Sequence, residues 1–278
     1  MIPVDRPQVP PDILKRNGVK WLSKLQTAIA NLEAVSNSPA ATKEQITKAE
    51  KNVEKAIDKY RQKEVKDALE RIFYGKCAYC ESQVTTTGYG DIEHFCPKRN
   101  PRCVNLTFEW KNLLLSCEKC NDAAHKGTLF PVDSNGNPLL IDPTDDRTDI
   151  NQHLNFTWDV VDGARVEGRD LRGKEVERIF DLNSDRATRK ELIKHRTNRV
   201  NQMLSLLKIA LETGNSDAIL LLLEHCQPSA EYSAFARIYI LPYLAHHFQI
   251  REAIALLKEF SLRSSEYSVF VRDRDLPS

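Results

Sequence analysis

The chain has 278 residues, 40 basic against 39 acidic, for a formal net charge of +1. No global field pulls such a chain onto a polyanion, so any nucleic-acid contact must come from local patches. With 41% hydrophobic residues and only 10 glycines and 13 prolines, disordered, collagenous and low-complexity classes are excluded.

Residues 1–11, with Pro3, Pro7, Pro10 and Pro11, read as an extended lead-in with no apolar signal segment. Trp21, Leu25, Ala28, Ile29 and Leu32 recur at helical spacing until Ser36–Pro39. Thr42 and Gln45 form a capping-box pattern that opens a second, longer helix, with the stripe Ile46, Val53, Ile57, Tyr60, Val65, Leu69 and Ile72 running towards Gly75. Lys48, Lys51, Lys55, Lys59, Lys63 and Lys66 lie roughly opposite, interleaved with acids as on a solvated face.

Residues 77–131 are dense in Cys, His, Asn, Gly and Pro, with short apolar runs, so something other than a large core must organise them. Beyond them, Leu139–Pro143 and Leu154–Val161 read as short strands, with Asp162–Gly163 a hairpin turn before Ala164–Val166. From about Asn183 the chain turns helical: Leu192, Val200, Leu204, Leu207 and Leu211 mark one helix stopped by Gly214, with further helices expected over 216–226, 229–247 and 250–260. The longest apolar run, Ala218–Leu223, is too short to span a bilayer, so a cytoplasmic protein without membrane contact is expected. The pattern predicts an α+β, mostly α chain in three parts: a lead-in and helical hairpin over 1–76, a metal-organised core over 77–131, and a β-hairpin followed by helices over 132–278.

Six of the seven cysteines fall between residues 77 and 120. Cys77–Cys80 and Cys117–Cys120 are two C-x-x-C knuckles, each offering two sulfurs from one turn, and together they predict a structural Zn²⁺ site. Cys96 and Cys103 lack knuckle spacing and read as ordinary buried thiols.

Glu93, His94, Asn112, Asn121 and His125 stand between and beyond the knuckles. If Glu118–Lys126 is a helix, Asn121 and His125 leave one face as paired ligands. Glu93 adds an oxygen from the preceding strand, a mixed set suited to Mg²⁺ or Mn²⁺, or to a transition ion. His94, on the opposite face of the pleat, is then free to act on a water.

The runs Asp91–Pro97, Trp110–Cys117 and Glu118–Asn121 with His125 and Lys126 resemble the HNH endonuclease family. The resemblance implies a zinc-stapled ββα-metal nuclease core embedded between N-terminal and C-terminal helices. It assigns His94 as the general base for attack of water on a phosphodiester, Glu93, Asn121 and His125 as holders of one Mg²⁺ or Mn²⁺, and Asn112 as the residue that orients His94 or stabilises its loop. A narrower likeness, on Gly75–Glu81, Asp91–Lys98, Leu140–Pro143 and His153–Phe156, is to the HNH nuclease subunits of Septu antiphage systems, also found in some retrons. It implies an effector working with an ABC/SMC-like ATPase.

Substrate grip is expected from Lys98, Arg99 and Arg102, with Lys111, Lys119 and Lys126 around the short helix. Arg186, Arg189, Lys190, Lys194, Arg196 and Arg199 form a second basic group, read equally as a contact surface or a solvated helix face. DNA is the favoured target. RNA such as tRNA, and a zinc-bound adaptor without catalysis, stay open as alternatives, because phosphate contacts do not distinguish DNA from RNA.

Overall fold

The computed structural model describes residues 1–84 and 90–262. The chain divides into two compact units, one made of Val4–Ala78 and Gln83–Phe130, the other of Met1–Pro3, Tyr79–Ser82 and Pro131–Ser278. Both are helical with a small sheet, an α+β, mostly α architecture.

In the first unit, α1 (Asp12–Ser36) packs against α2 (Lys43–Ile57). α2 opens on the expected capping box: the Thr42 amide donates to Gln45 Oε1 at 2.8 Å, and the Gln45 amide donates to Thr42 Oγ1 at 3.2 Å. The single long helix expected from residue 43 towards Gly75 is in fact broken. A 3₁₀ turn at Asp58–Tyr60 ends α2, Gln62 is extended, and α3 (Lys63–Ile72) starts afresh. The break turns the Tyr60 ring into a core with Leu25, Ile57 and Phe108, and α3 buries Val65 and Leu69 completely. That burial outweighs continuity of the helix, since each large apolar side chain removed from water contributes about 1.5–3 kcal/mol. The lysines of α2 lie on the exposed face, as expected.

Strands β1 (Asp91–His94) and β2 (Leu113–Ser116) pair antiparallel, with Glu93 opposite Leu114 and His94 opposite Leu113. All of β2 is buried. α4 follows as a single turn, Glu118–Asn121, and the helix expected over 118–126 does not form. Asp122 is extended, and its Oδ1 accepts from the amides of Ala124 and His125, an Asx turn that replaces the next helical bonds. Asn121 and His125 therefore do not share a helix face.

In the second unit, α5 (Ile150–His153) leads into β3 (Leu154–Asp159), which pairs with β4 (Gly163–Gly168) as expected; Gly163 supplies the positive φ that the tight connection requires. The strand expected at Leu139–Pro143 is absent: Leu140 and Ile141 are buried without a ladder, and Val132 bridges Pro138 instead. A helix not anticipated from the sequence, α6 (Leu171–Phe180), starts on Asp170, whose side chain accepts from the Gly173 amide at 2.8 Å. Gly173 is indispensable there, since a Cβ would lie 1.8 Å from the His153 carbonyl oxygen. α7 (Ala187–Thr213) stops at Gly214, with φ +64°, and α8 (Ser216–His225) follows. The helix expected over 229–247 is two: α9 (Ser233–Tyr239) and α10 (Leu241–His246), divided at Ile240 just before Pro242. α11 (Arg251–Leu262) completes the described chain.

The basic group on α7 is not one surface. Arg189 and Arg196 are buried, with Arg189 donating to the Phe180 carbonyl and Arg196 to the carbonyls of Ala164 and Leu182. No described helix is long and apolar enough to cross a membrane.

Candidate functional site

The two knuckles come together. The four sulfurs of Cys77, Cys80, Cys117 and Cys120 lie within 4.8 Å of one another. The Ala78 amide donates to the Leu115 carbonyl at 2.8 Å, which ties the first knuckle to β2. Cys117 caps α4, its sulfur accepting from the Cys120 amide at 3.4 Å. In a zinc tetrathiolate with bonds of about 2.3 Å the sulfurs stand roughly 3.8 Å apart. The four-sulfur set fits zinc in both chemistry and spacing.

His94 ends β1 with its ring buried. Its Nε2 lies 3.0 Å from the Thr107 carbonyl, and because a carbonyl only accepts, Nε2 carries the proton and Nδ1 holds the lone pair. Burial, then the nearby Lys98 ammonium, pushes the His94 pKa down to about 3, so the ring is neutral at pH 7. The Tyr60 ring meets it edge-on, centroids 4.5 Å apart.

Asn112 is wholly occupied in holding the chain that follows His94. Its Oδ1 accepts from the Cys96 amide at 2.7 Å, while Nδ2 donates to the carbonyls of Cys96 and Leu106 at 3.0 and 3.1 Å. Leu106 precedes Thr107, the partner of His94, so Asn112 fixes both the exit from the strand and the carbonyl on the ring. Within that loop Cys96 and Cys103 form a disulfide, with Cα atoms 5.8 Å apart. Both are buried as expected, but they are bonded to each other rather than being separate thiols.

The three expected ligands of a catalytic ion each have another partner. Glu93 pairs with Lys126, whose ammonium also donates to the His94 carbonyl at 2.8 Å. Asn121 Nδ2 donates to Asp91 Oδ2 at 3.0 Å. His125 Nδ1 lies 2.7 Å from Asp122 Oδ1, held by the Asx turn. Burial raises the Glu93 pKa against the opposing pull of Lys126, and burial lowers the Lys126 pKa against that of Glu93. Lys126, expected to touch phosphate, is instead fully buried, its side chain turned towards β1 because the carboxylate and carbonyl there compensate its desolvation.

Of the other expected phosphate contacts, Lys98 is half-buried and donates to Tyr60 Oη at 2.9 Å, Arg99 pairs with Glu54 at 2.8 Å on the surface, and Arg102 is exposed. Sequence reasoning missed Asp91, Tyr60 and Arg61. Strand periodicity offered Asp91, which shares a face with Glu93. Tyr60 and Arg61 had no local signal, because they reach the site from a helix break more than 30 residues upstream.

Over 191 residues the chain is 31% identical to the Septu protein PtuB of Bacillus mycoides (strain KBAB4), covering 60% of this chain and 60% of that relative. Over 120 residues it is 37% identical to the Septu protein PtuB of Bacillus thuringiensis, covering 43% of this chain and 41% of that relative. The chain thus spans less than two thirds of the length of the curated relatives it matches. No family model matches, and no solved structure matches.

Proposed function

We propose that the chain is a metal-dependent HNH-type endonuclease, the effector of a Septu-like antiphage defence complex that includes a partner ATPase. The observation that carries this reading is His94: neutral, buried at a strand end, its Nε2–H committed to the Thr107 carbonyl and its Nδ1 lone pair left to take a proton. A backbone carbonyl on one nitrogen fixes ring orientation and tautomer, as a general base requires. Its low basicity in the unbound chain suits a polyanionic substrate, because a phosphate placed beside the ring raises its pKa and offsets Lys98. The four-cysteine site beside β2 and the similarity to two Septu proteins support the same reading.

In this reading His94 takes the proton from the attacking water. Asn112 and Thr107 hold His94 in place, and Lys98, Arg99 and Arg102 contact the nucleic-acid backbone. A divalent Mg²⁺ or Mn²⁺, when bound, neutralises charge on the scissile phosphate. Glu93 and Asn121 are its proposed holders, with His125 the expected third. Asp91, already in contact with Asn121, brings a further oxygen donor to the face of β1 that carries Glu93, a hard set appropriate to those ions. DNA is the favoured target.

A zinc-bound adaptor without catalysis is the second reading, favoured by one observation: the Glu93 carboxylate is occupied by Lys126. Cleavage of DNA and RNA in Mg²⁺ or Mn²⁺, by the chain alone and co-purified with the proposed partner ATPase, separates the two. A nuclease loses at least about a hundredfold in rate on His94→Ala with folding and zinc retained. No cleavage under any of these conditions, or cleavage unchanged by His94→Ala, overturns the nuclease reading.

A further inference from the structure

We propose that Tyr60 is a positioning residue: its buried hydroxyl gathers the Lys98 ammonium and the Arg61 guanidinium into a cationic cradle beside His94, and the cradle holds a nucleic-acid phosphate. The proposal rests on the nuclease reading of His94 and adds the N-terminal helical segment to that site.

The Tyr60 ring is core. It packs with Leu25, Ile57 and Phe108, so the hydroxyl is fixed by burial and not by its own hydrogen bonds. Phenylalanine would fill that space equally well. The hydroxyl takes two cations: Lys98 Nζ donates to it at 2.9 Å, and Arg61 Nε at 3.1 Å. Lys98 Nζ is 4.7 Å and Arg61 Cζ 5.6 Å from the ring centroid, so both charges also feel the ring. A neutral oxygen cannot cancel two positive charges held this close. Among the described residues, the acid that forms an ion pair with either cation is Asp58, 3.3 Å from Arg61 Nε, and both side chains are largely solvated, at 64% and 44% exposure. Such a surface contact compensates little. Asp91 acts on Arg61 more weakly still, and Glu93, whose carboxylate is already paired with Lys126, acts on Lys98 without forming an ion pair with it.

The cradle therefore has an electrostatic need for an anion and the donors to receive one. An ammonium has three N–H groups and a guanidinium five, of which the phenol takes one each. A phosphodiester offers two anionic oxygens to such a pair. The place is right as well, because the same Tyr60 ring that collects the cations touches the His94 ring. A phosphate seated on Lys98 and Arg61 lies within reach of the base. The break between α2 and α3, which nothing in the helical periodicity called for, is what brings Tyr60 and Arg61 there.

The test is Tyr60→Phe, which keeps the ring and removes the acceptor. Binding is read by fluorescence anisotropy of a short labelled DNA duplex and its RNA counterpart across a salt series, in a His94→Ala background that cannot cut. We expect affinity to fall about five- to tenfold and the slope of log K against log salt to become shallower by about 0.9 for each phosphate that the cradle no longer neutralises. With His94 intact, the loss should fall on KM rather than on kcat. Lys98→Gln should have its own effect, and a smaller one once Tyr60 is already Phe, as expected of coupled residues. Unchanged affinity and salt slope in a folded Tyr60→Phe protein that still cuts would overturn the cradle while leaving the nuclease reading intact. If the unaltered chain neither binds nor cuts DNA or RNA, with or without its ATPase, the nuclease reading falls and the cradle with it. Should Tyr60→Phe lower the melting temperature, Arg61→Gln, at an exposed position, and Lys98→Gln, at a half-buried one, decide by the same slope.

Discussion

The Lys126 ammonium and the Glu93 carboxylate form an ion pair with side chains 0% and 6% exposed, so neither charge is shared with water. Desolvation at both ends is repaid only while both partners are present.

Lys126→Met should accordingly destabilise the chain by about 3–5 kcal/mol, because it strands a buried carboxylate. The double variant Glu93→Gln with Lys126→Met should recover most of that loss. Urea unfolding of the two single variants and the double one measures the coupling, and simple additivity would show that the pair does not act as a unit.

His94 makes stability acid-sensitive. Its folded pKa is depressed to about 3. The unfolded chain takes up a proton below about pH 6.5 while the folded chain does not, so stability falls as pH drops from about 6.5 towards 3. At one pKa unit per about 1.4 kcal/mol, the penalty at pH 4.5 is about 2–3 kcal/mol. His94→Ala should lose less stability than the unaltered chain between pH 7 and pH 4.5, by about that amount. Equal losses would mean that the ring is not buried neutral.

Zinc should copurify at about one ion per chain, and a strong chelator should unfold the segment it organises, since metal-binding energy there is folding energy. Cys120, fully buried, is the most sensitive ligand position. Cys120→Ser should lower zinc content and melting temperature together, measured by elemental analysis and calorimetry. A metal-free chain with an unaltered melting temperature would contradict a structural ion.

Asn112 offers a fourth measurement. Asn112→Ala removes three hydrogen bonds to Cys96 and Leu106 and leaves buried backbone groups without them. At about 1–3 kcal/mol for each stranded polar group, a loss of several kcal/mol is expected. Hydrogen exchange should quicken over residues 95–107 in preference to α1 and α2. A uniform change across the first unit would argue that Asn112 is ordinary core.

Some of this was legible in the residues alone. The C-x-x-C pairs announce a four-sulfur site because a two-residue spacer leaves so few geometries for two thiols. Thr42 with Gln45, and Gly163 between β3 and β4, are local devices whose partners lie within a few residues. In the second unit α7, α8 and α11 followed from periodicity while α6 did not, and the helical reading failed where a single residue changed the backbone: Ile240 before Pro242 in that unit, and Asp122 after α4 in the first.

What tertiary structure alone decided is the partner of each polar side chain. The sequence offers Lys126 to phosphate, yet the fold gives it to Glu93 across 33 positions; it offers Asn121 to His125, and the fold gives it to Asp91 across 30. Nothing in the apolar stripe from Ile46 to Ile72 marks Tyr60 as the residue that turns in towards His94, across 34 positions. Periodicity reports which face of an element is apolar, and so which side is buried. It carries no information about which buried charge meets which, because that depends on how separately formed elements pack and on the high cost of burying a charge without its counterpart.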